Sequence, residues 1–412
     1  MSVLQGKKLL LGITGGIAVY KVCEVVRNLS QLGAEIQVAM TQSAQKFVTS
    51  LTFETLSGQP VMTNLFPENE MVTTRHIEVP RNAHRVLVCP ATANFLGKAA
   101  NGIADDLLSV MVMVAGAKKT VYCPAMNSDM WANPAVQNNI AILKKQGASF
   151  IDPEYGQLAC GTEGIGRLSA IERIISRMKI ELLRTNDFAG KHILVTTGPT
   201  EEAIDPVRFI TNASSGKMGF ALAEAALSRG AKVTLVTGPT KLIPPDDAIL
   251  VKVRSAAEMG KAVLDVFPVT DVVIMAAAVS DYRPMAYSAA KIKKGSDRIT
   301  LELQKTNDIL AKLGKQKKNQ LLVGFAVETE NIIANASHKL REKNLDLIVA
   351  NNPLVEGAGF QTDTNVVIFI NREGEEKHLS LMSKFEVSLN ILEEIAILLG
   401  IKPSPFKTTI HV

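Results

Sequence analysis

Gly6-Lys7-Lys8-Leu9-Leu10-Leu11-Gly12-Ile13-Thr14-Gly15 is echoed far downstream by Gly190-Lys191-His192-Ile193-Leu194-Val195-Thr196-Thr197-Gly198. Each is a short apolar run stopped by glycine, the pattern of a parallel strand buried on both faces. The correspondence continues: Leu32-Gly33-Ala34-Glu35-Ile36-Gln37-Val38-Ala39-Met40-Thr41 parallels Arg229-Gly230-Ala231-Lys232-Val233-Thr234-Leu235-Val236-Thr237-Gly238. In both, a glycine that ends a helix is followed by a second strand. Strand, glycine turn, helix, glycine cap and strand make a βαβ unit, and two copies predict an α/β chain of two doubly wound, Rossmann-like domains.

Length agrees with two domains, since 412 residues exceed the ~100–200 that one core usually organises. Between the copies, Ile171 to Leu183 has helical apolar spacing, and Arg184-Thr185-Asn186-Asp187 is polar and turn-like. The boundary is therefore expected near Phe188 to Lys191, giving domains 1–189 and 190–412. The second copy carries an insert, Glu202 to Ser215. The tail from Lys402, with Pro403 and Pro405, reads as a frayed end.

With 47% hydrophobic and 21% charged residues, the chain has the apolar surface to build cores, and extended disorder is excluded. Its 45 basic and 40 acidic residues are interspersed, for a formal charge of +5. That balance favours small anionic substrates over a nucleic-acid track. Cys23, Cys89, Cys123 and Cys160 lie far apart with no CxxC pair, which argues against structural zinc and for a reducing, cytoplasmic setting. Lys7 and Lys8 precede the apolar run Leu9 to Tyr20, which has the length of a signal-peptide core. The run contains Gly12, Gly15 and Gly16 and ends in Lys21 without a cleavage site, so it reads as a buried strand and turn. The longest apolar stretch, Leu107 to Ala117, falls short of the ~18 residues that span a bilayer, and no membrane partner is expected.

The glycines of Gly12-Ile13-Thr14-Gly15-Gly16-Ile17-Ala18 do not fit a dinucleotide fingerprint, yet a glycine turn opening a helix offers N–H groups to a phosphate. Two later strands, Arg85 to Cys89 and Thr120 to Cys123, end in the same punctuation, Pro90-Ala91-Thr92-Ala93-Asn94 and Pro124-Ala125-Met126-Asn127. Carboxyl ends of parallel strands line the ligand crevice, so Thr92, Asn94 and Asn127 are expected to face a bound molecule. Cys160 lies in a segment with Gly156, Gly161, Gly164 and Gly166 that is too glycine-rich for a packed strand or helix.

These motifs resemble the homo-oligomeric flavin-containing cysteine decarboxylases, most closely their phosphopantothenoylcysteine decarboxylase branch. The matching residues are Gly15-Gly16-Ile17-Ala18, His76-Ile77, Pro124-Ala125-Met126-Asn127 and Leu158-Ala159-Cys160-Gly161, spanning nearly all of residues 1 to ~185. The resemblance implies a flavodoxin-like domain that holds FMN through Gly15, Gly16, Ile17, Ala18, Ser43, Thr92, Asn94 and Met126. Loss of CO2 from a cysteinyl carboxylate leaves charge at the adjacent carbon, so an electron sink must form beside it, and hydride transfer from the thiol carbon to FMN supplies one. His76 is the candidate base. Asn127 would orient the carboxylate without opposing charge, and Cys160 would protonate the ene-thiolate as it is re-reduced.

In the second half, Ile193 to Thr197 leads to Gly198-Pro199-Thr200, then Ile204-Asp205-Pro206-Val207-Arg208-Phe209-Ile210-Thr211-Asn212 and Ser214-Ser215-Gly216-Lys217. The Ser-Ser-Gly run fits the N-terminus of a helix over Lys217 to Ser228, an anion site. The strand Asp271 to Met275 is followed by Ala276-Ala277-Ala278-Val279-Ser280-Asp281, and Lys291-Ile292-Lys293-Lys294 lies between it and Gly324-Phe325. These motifs resemble the bacterial phosphopantothenoylcysteine synthetases and cover ~190 to ~400. The resemblance implies activation of 4′-phosphopantothenate by CTP to an acyl-cytidylate, followed by attack of the cysteine amine. Asn212 would hold the acyl-cytidylate, while Ala276, Ala277, Asp281, Lys291, Phe325, Lys339, Lys343 and the turn Asn307-Asp308-Ile309-Leu310 would contact CTP. The turn departs from that family in having Asn307 where proline is expected. The resemblance implies Mg2+, which would neutralise the leaving pyrophosphate, and an oligomer with a trimer-based decarboxylase core and a dimeric ligase. Two other readings compete: a dinucleotide dehydrogenase, which lacks GxGxxG after either first strand, and a flavin-binding regulatory subunit, against which His76, Asn127 and Cys160 together argue.

Overall fold

The structure, a computed structural model, describes residues 2–66, 74–293, 300–359 and 361–402. Lys294 of the lysine run and the tail prolines Pro403 and Pro405 lie outside these residues. The chain forms two compact units, Met1–Leu183 and Arg184–Val412.

In the first unit the strands β1 (Lys8–Ile13), β2 (Glu35–Met40), β3 (Arg85–Ala91), β4 (Thr120–Pro124) and β5 (Ser149–Phe150) form one sheet in the order β2-β1-β3-β4-β5. All neighbouring pairs are parallel. This is the flavodoxin-like order, with a topological switch between β1 and β3. Every residue of β1 after Lys8 is buried, because helices cover both faces of a parallel sheet. The apolar stretch beginning at Leu107 folds as a helix of nine residues, Leu107–Ala115, opened by an Asp106–Ser109 capping box. Among the described residues no helix is long and apolar enough to cross a membrane. After β5 the chain leaves the sheet as a hairpin, β6 (Glu154–Gln157) and β7 (Glu163–Arg167). The helix Ile171–Leu182 then closes the unit.

The division between units falls ahead of the polar turn, so Thr185 to Ala189 fold with the second unit. Arg229 is the cause. Its side chain is 2% exposed, its Nε donates to Asp187 at 2.8 Å, and its guanidinium pairs with Glu393 at 3.1 Å and lies 4.6 Å from the Phe188 ring centre. Stranding such a charge costs on the order of 3–5 kcal/mol, which pins this segment to the second core.

The second unit contains β8 (His192–Thr197), β9 (Glu201–Ala203), β10 (Phe209–Thr211), β11 (Lys232–Thr237), β12 (Ile249–Lys252), β13 (Val272–Met275), β14 (Tyr282–Pro284), β15 (Leu303–Lys305), β16 (Leu321–Val327), β17 (Leu347–Asn351), β18 (Thr364–Asn371) and β19 (Glu376–Ser383). Eight of them form a sheet in the order β12-β11-β8-β13-β16-β17-β18-β19. From β12 to β17 the pairs are parallel, which is the Rossmann order with its switch between β8 and β13. β18 and β19 join antiparallel at one edge. Burial in β18 alternates for most of its length whereas all of β17 is buried, as expected where helices cover the parallel part and one face of the edge meets solvent. The insert of the second copy is the antiparallel ribbon β9–β10, and the helix after it spans Lys217–Ser228.

Candidate active sites

In the first unit, the carboxyl ends of β1, β3 and β4 and the β6–β7 hairpin enclose a cavity of about 670 Å³. That volume is in the range of small-molecule and cofactor sites. One wall is Gly15, Gly16, Ile17 and Ala18, which lead into the helix Val19–Gln31 without a side-chain cap; Val19 N–H donates to Gly16 O and Lys21 N–H to Ala18 O, so it is the loop N–H groups of Gly16 to Ala18 that face an anion here. Gly15 is required by close approach, since a Cβ there would lie 2.4 Å from Cβ of Ser43. Thr14 ties this loop to the end of β3, donating to the Pro90 carbonyl at 2.7 Å and accepting from the Thr92 N–H at 3.0 Å. Thr92 caps the next helix by accepting from Phe95 N–H.

The opposite wall carries Met126, Asn127 and Cys160. Oδ1 of Asn127 accepts from the Asp129 N–H at 2.8 Å, which leaves the amide nitrogen as the group aimed at the cavity. That nitrogen stands 3.5 Å from Cys160 Sγ. A donor presented this way suits a carboxylate. Cys160 stands in the hairpin loop, where Leu158 N–H donates to Thr162 O and Gly161 N–H to Leu158 O. The turn puts Gly161 at φ +85°, a left-handed conformation costly for other residues. The hairpin is docked by Met126 N–H donating to Gly166 O at 2.9 Å, and a Cβ on Gly166 would lie 2.1 Å from Met126 O. Cys160 is exposed, and hydrogen bonds from the Thr162 hydroxyl, the Thr162 backbone and the Asn127 amide hold its thiol below the ordinary value. Cys89 and Cys123 are wholly buried.

The cavity brings together Gly15 to Ala18, Thr92, Met126, Asn127 and Cys160, and adds Tyr20, Lys21, Met130, Gln157 and Arg167, which the sequence did not single out. Ser43 packs against Gly15 and does not line the cavity. His76, half-buried on the helix Arg75–Asn82, and exposed Asn94 do not line it in the single chain.

In the second unit a cavity of about 390 Å³ lies at the carboxyl ends of β13, β16 and β17, bordered by the helix Lys217–Ser228. It sits at the topological switch, where open α/β sheets bind ligands. Asn212, Ala276, Ala277, Asp281, Phe325 and Lys339 all line it. The Asn212 amide nitrogen donates to the carbonyls of Ala278 (3.1 Å) and Val279 (3.2 Å), locking the residue after the ribbon to the loop that follows β13. Lys339 pairs with Glu328 at 2.5 Å.

The cavity also takes in Lys217, quoted above at the start of its helix, and Asn351, Asn365 and Lys384, which the sequence did not single out. Lys217 reaches Asp363 at 2.6 Å and the Gln361 carbonyl at 2.8 Å; Lys384 donates to the Thr362 carbonyl at 2.6 Å and the Gly359 carbonyl at 3.1 Å; Asn351 ends β17. Burial, aided by nearby Lys217, pushes the Lys384 amine down to about 8. Lys291, Lys343 and the Asn307–Leu310 turn stand outside this cavity. Lys343 pairs with Asp308 at 2.8 Å, Asp308 caps the helix Ile309–Gln316, and the Ile309 side chain is in the core. Lys291 is exposed.

Residues 2–182 match the family described as Flavoprotein, and residues 188–398 match that described as DNA/pantothenate metabolism flavoprotein C-terminal domain. The chain is 48% identical to the coenzyme A biosynthesis bifunctional protein CoaBC of Bacillus subtilis over 96% of its own length and 98% of the relative's. Against the protein of the same name from Vibrio vulnificus it is 42% identical over 97% and 100%. With that from Mycobacterium bovis it shares 40% over 96% and 97%. Likeness at this level across both units, rather than in one alone, decides the assignment: the chain belongs to the coenzyme A biosynthesis bifunctional proteins and is a flavoprotein with phosphopantothenoylcysteine decarboxylase and phosphopantothenate–cysteine ligase activities.

Proposed function

We propose that the first cavity holds FMN against the Gly15–Ala18 loop and takes phosphopantothenoylcysteine between the flavin and the Asn127–Cys160 pair. The observation that carries this reading is the facing of two walls: the Gly16 to Ala18 N–H groups in a close-packed glycine cradle ahead of a helix on one, an amide donor 3.5 Å from an exposed thiol on the other. The residues present fit the cofactor, since the cradle admits a phosphate and Thr92 and Met126 flank it. FMN, when bound, supplies the electron sink that CO2 loss needs.

Asn127 holds the substrate carboxylate through its amide nitrogen. His76 takes the thiol proton, arriving from a neighbouring copy. The exposed apolar residues at the cavity mouth, Ile17, Tyr20 and Met130, support a trimer-based decarboxylase core in which a second copy completes the site. Cys160 returns a proton to the product carbon. The working place is the cytoplasm, in keeping with its free thiols.

The second cavity takes CTP and 4′-phosphopantothenate, with Asn212 at the acyl-cytidylate, Asp281, Phe325 and Lys339 on the nucleotide, and Lys291 neutralising charge as the cysteine amine attacks. Lys343 and the Asn307–Leu310 turn complete the nucleotide contacts from outside the cavity wall, in a dimeric ligase. Asp281 is the single carboxylate among the residues lining this cavity. It fits Mg2+ carried mainly by phosphate oxygens. The direct test is the purified protein: flavin absorbance, CTP-dependent joining of 4′-phosphopantothenate to cysteine, and decarboxylation of the product. A colourless protein without decarboxylase activity would sink the first half.

Asn127→Asp should lower decarboxylation by roughly 10²–10³-fold while FMN and ligase activity stay, because a donor is lost and a second carboxylate repels the substrate's own. Steady-state rates of both activities decide it; unchanged turnover removes Asn127 from the site. The lowered Cys160 pKa has a pH consequence. The proton-donating form is the thiol, so saturated-product formation should fall as pH rises through that lowered pKa. Thr162→Val removes the first of the bonds that favour the thiolate, raises the pKa and moves this alkaline limb to higher pH. Superimposable pH profiles of the two proteins would show that another group titrates.

A further inference from the structure

Asp205 is the least expected side chain of the ligase unit: a carboxylate with no exposure at all on a turn whose neighbours are solvent-facing. Oδ1 closes its own turn, accepting from Val207 N–H at 2.9 Å and Arg208 N–H at 2.8 Å. That is all a turn needs from an aspartate. Oδ2 does something else. It accepts from Arg208 Nε at 3.0 Å, pairs with Arg208 Nη2, and accepts from the N–H of Ile292, 87 residues away, at 3.1 Å. Arg208 Nη2 in turn donates to the Ile292 carbonyl at 2.9 Å. One ion pair thus holds both main-chain groups of the residue next to Lys291.

On the other side of Lys291, Ser288 N–H donates to Ile204 O at 3.0 Å and Ser288 Oγ to Ala290 O at 2.6 Å. Lys291 is bracketed by anchored residues on an otherwise exposed stretch. The same β9–β10 ribbon continues into Asn212, so one structural piece sets both the cavity wall and the lysine's origin. Burying a carboxylate costs several kcal/mol unless its lone pairs are filled, and a donor set reaching across the chain is what fills them here.

From this geometry we infer that Asp205 is a positioning residue for the ligase reaction, fixing the backbone from which Lys291 reaches its charge; the inference rests on the reading of Lys291 given above. A misplacement of ~1 Å can cost ~10²-fold in rate. Asp205→Asn keeps the shape and the turn-closing oxygen but weakens the grip on Arg208 and Ile292.

The experiment is a double-mutant cycle in the full chain with Asp205→Asn, Lys291→Gln and both together. It reads ligase kcat, KM for CTP, pyrophosphate release before cysteine is added, and melting temperature, with decarboxylase rate as a check on the separate unit. The expected result is a kcat at least ~10-fold lower for Asp205→Asn with KM for CTP within ~2-fold, and no further loss in the Lys291→Gln background, the signature of two residues acting as one. A loss that multiplies with Lys291→Gln, or wild-type kcat in Asp205→Asn, overturns the inference. Wild-type kcat in Lys291→Gln alone instead overturns the reading of Lys291. If Asp205→Asn fails to fold, Ile292→Pro cuts the same tether from its other end by removing the donated N–H, and the same cycle applies.

Discussion

Cys160→Ser should give an enzyme that still takes CO2 from phosphopantothenoylcysteine but releases a product two hydrogens lighter than phosphopantothenoylcysteamine. The proton donor acts after thiol oxidation and decarboxylation, so removing it leaves those steps standing. A serine hydroxyl is too weak an acid near neutral pH, whereas an ordinary thiol titrates near 8.5. In this chain the Thr162 and Asn127 hydrogen bonds lower that value further, improving the match. A single-turnover assay following flavin absorbance and product mass together separates the steps. Flavin bleaching with accumulation of the lighter product is the expected result, and the saturated product should fall by roughly 10²–10⁴-fold, the usual worth of a positioned acid. Saturated product at the wild-type rate would rule Cys160 out as donor. Loss of bleaching would move its role back to substrate binding or thiol oxidation.

Why Cys160 could be singled out beforehand while Lys384 could not is a matter of how each reaches its site. Thr92, Met126, Asn127 and Ala276 each follow an apolar run that ends a parallel strand, and such ends converge by topology. Cys160 was marked by glycines whose need is steric. Lys384 begins the helix Lys384–Leu398, and it meets the ligase cavity only because β17, β18 and β19 reverse direction at the sheet edge. No local spacing announces a reversal of that kind. Thr185 to Ala189 fold with the second unit for a similar reason: a polar turn reads as a linker, yet Asp187 is polar because it faces buried Arg229.

Local duties are equally hidden from a motif. In Asn307-Asp308-Ile309-Leu310, Asp308 serves as a helix cap and ion-pair partner and Ile309 as core. Asp205 is the converse case. Its place in a short polar insert resembles any turn aspartate, and only the pairing of its second oxygen with Ile292 reveals a longer reach.

Gly166→Ala should lower decarboxylase turnover by about 10²-fold with FMN retained and ligase activity untouched. The alanine Cβ would sit 2.1 Å from Met126 O, far inside contact distance, and the obstacle is a backbone carbonyl that cannot rotate aside. The hairpin must therefore lift from the Met126–Asn127 loop, straining the 2.9 Å bond from Met126 N–H to Gly166 O. Lifting it carries Cys160 away from Asn127, whose amide is already 3.5 Å distant, and displacements of ~1 Å are enough for a loss of this size. Because the phosphate cradle at Gly15–Ala18 belongs to other elements, bound flavin should remain near the wild-type amount, which absorbance measures. The Cys160 pKa should also rise as the Asn127 bond weakens, moving the alkaline limb of the pH profile upward in the same variant. Full turnover in Gly166→Ala would mean that the hairpin does not set the position of Cys160 during the reaction. Loss of flavin along with activity would mean instead that the substitution damages the cofactor site itself.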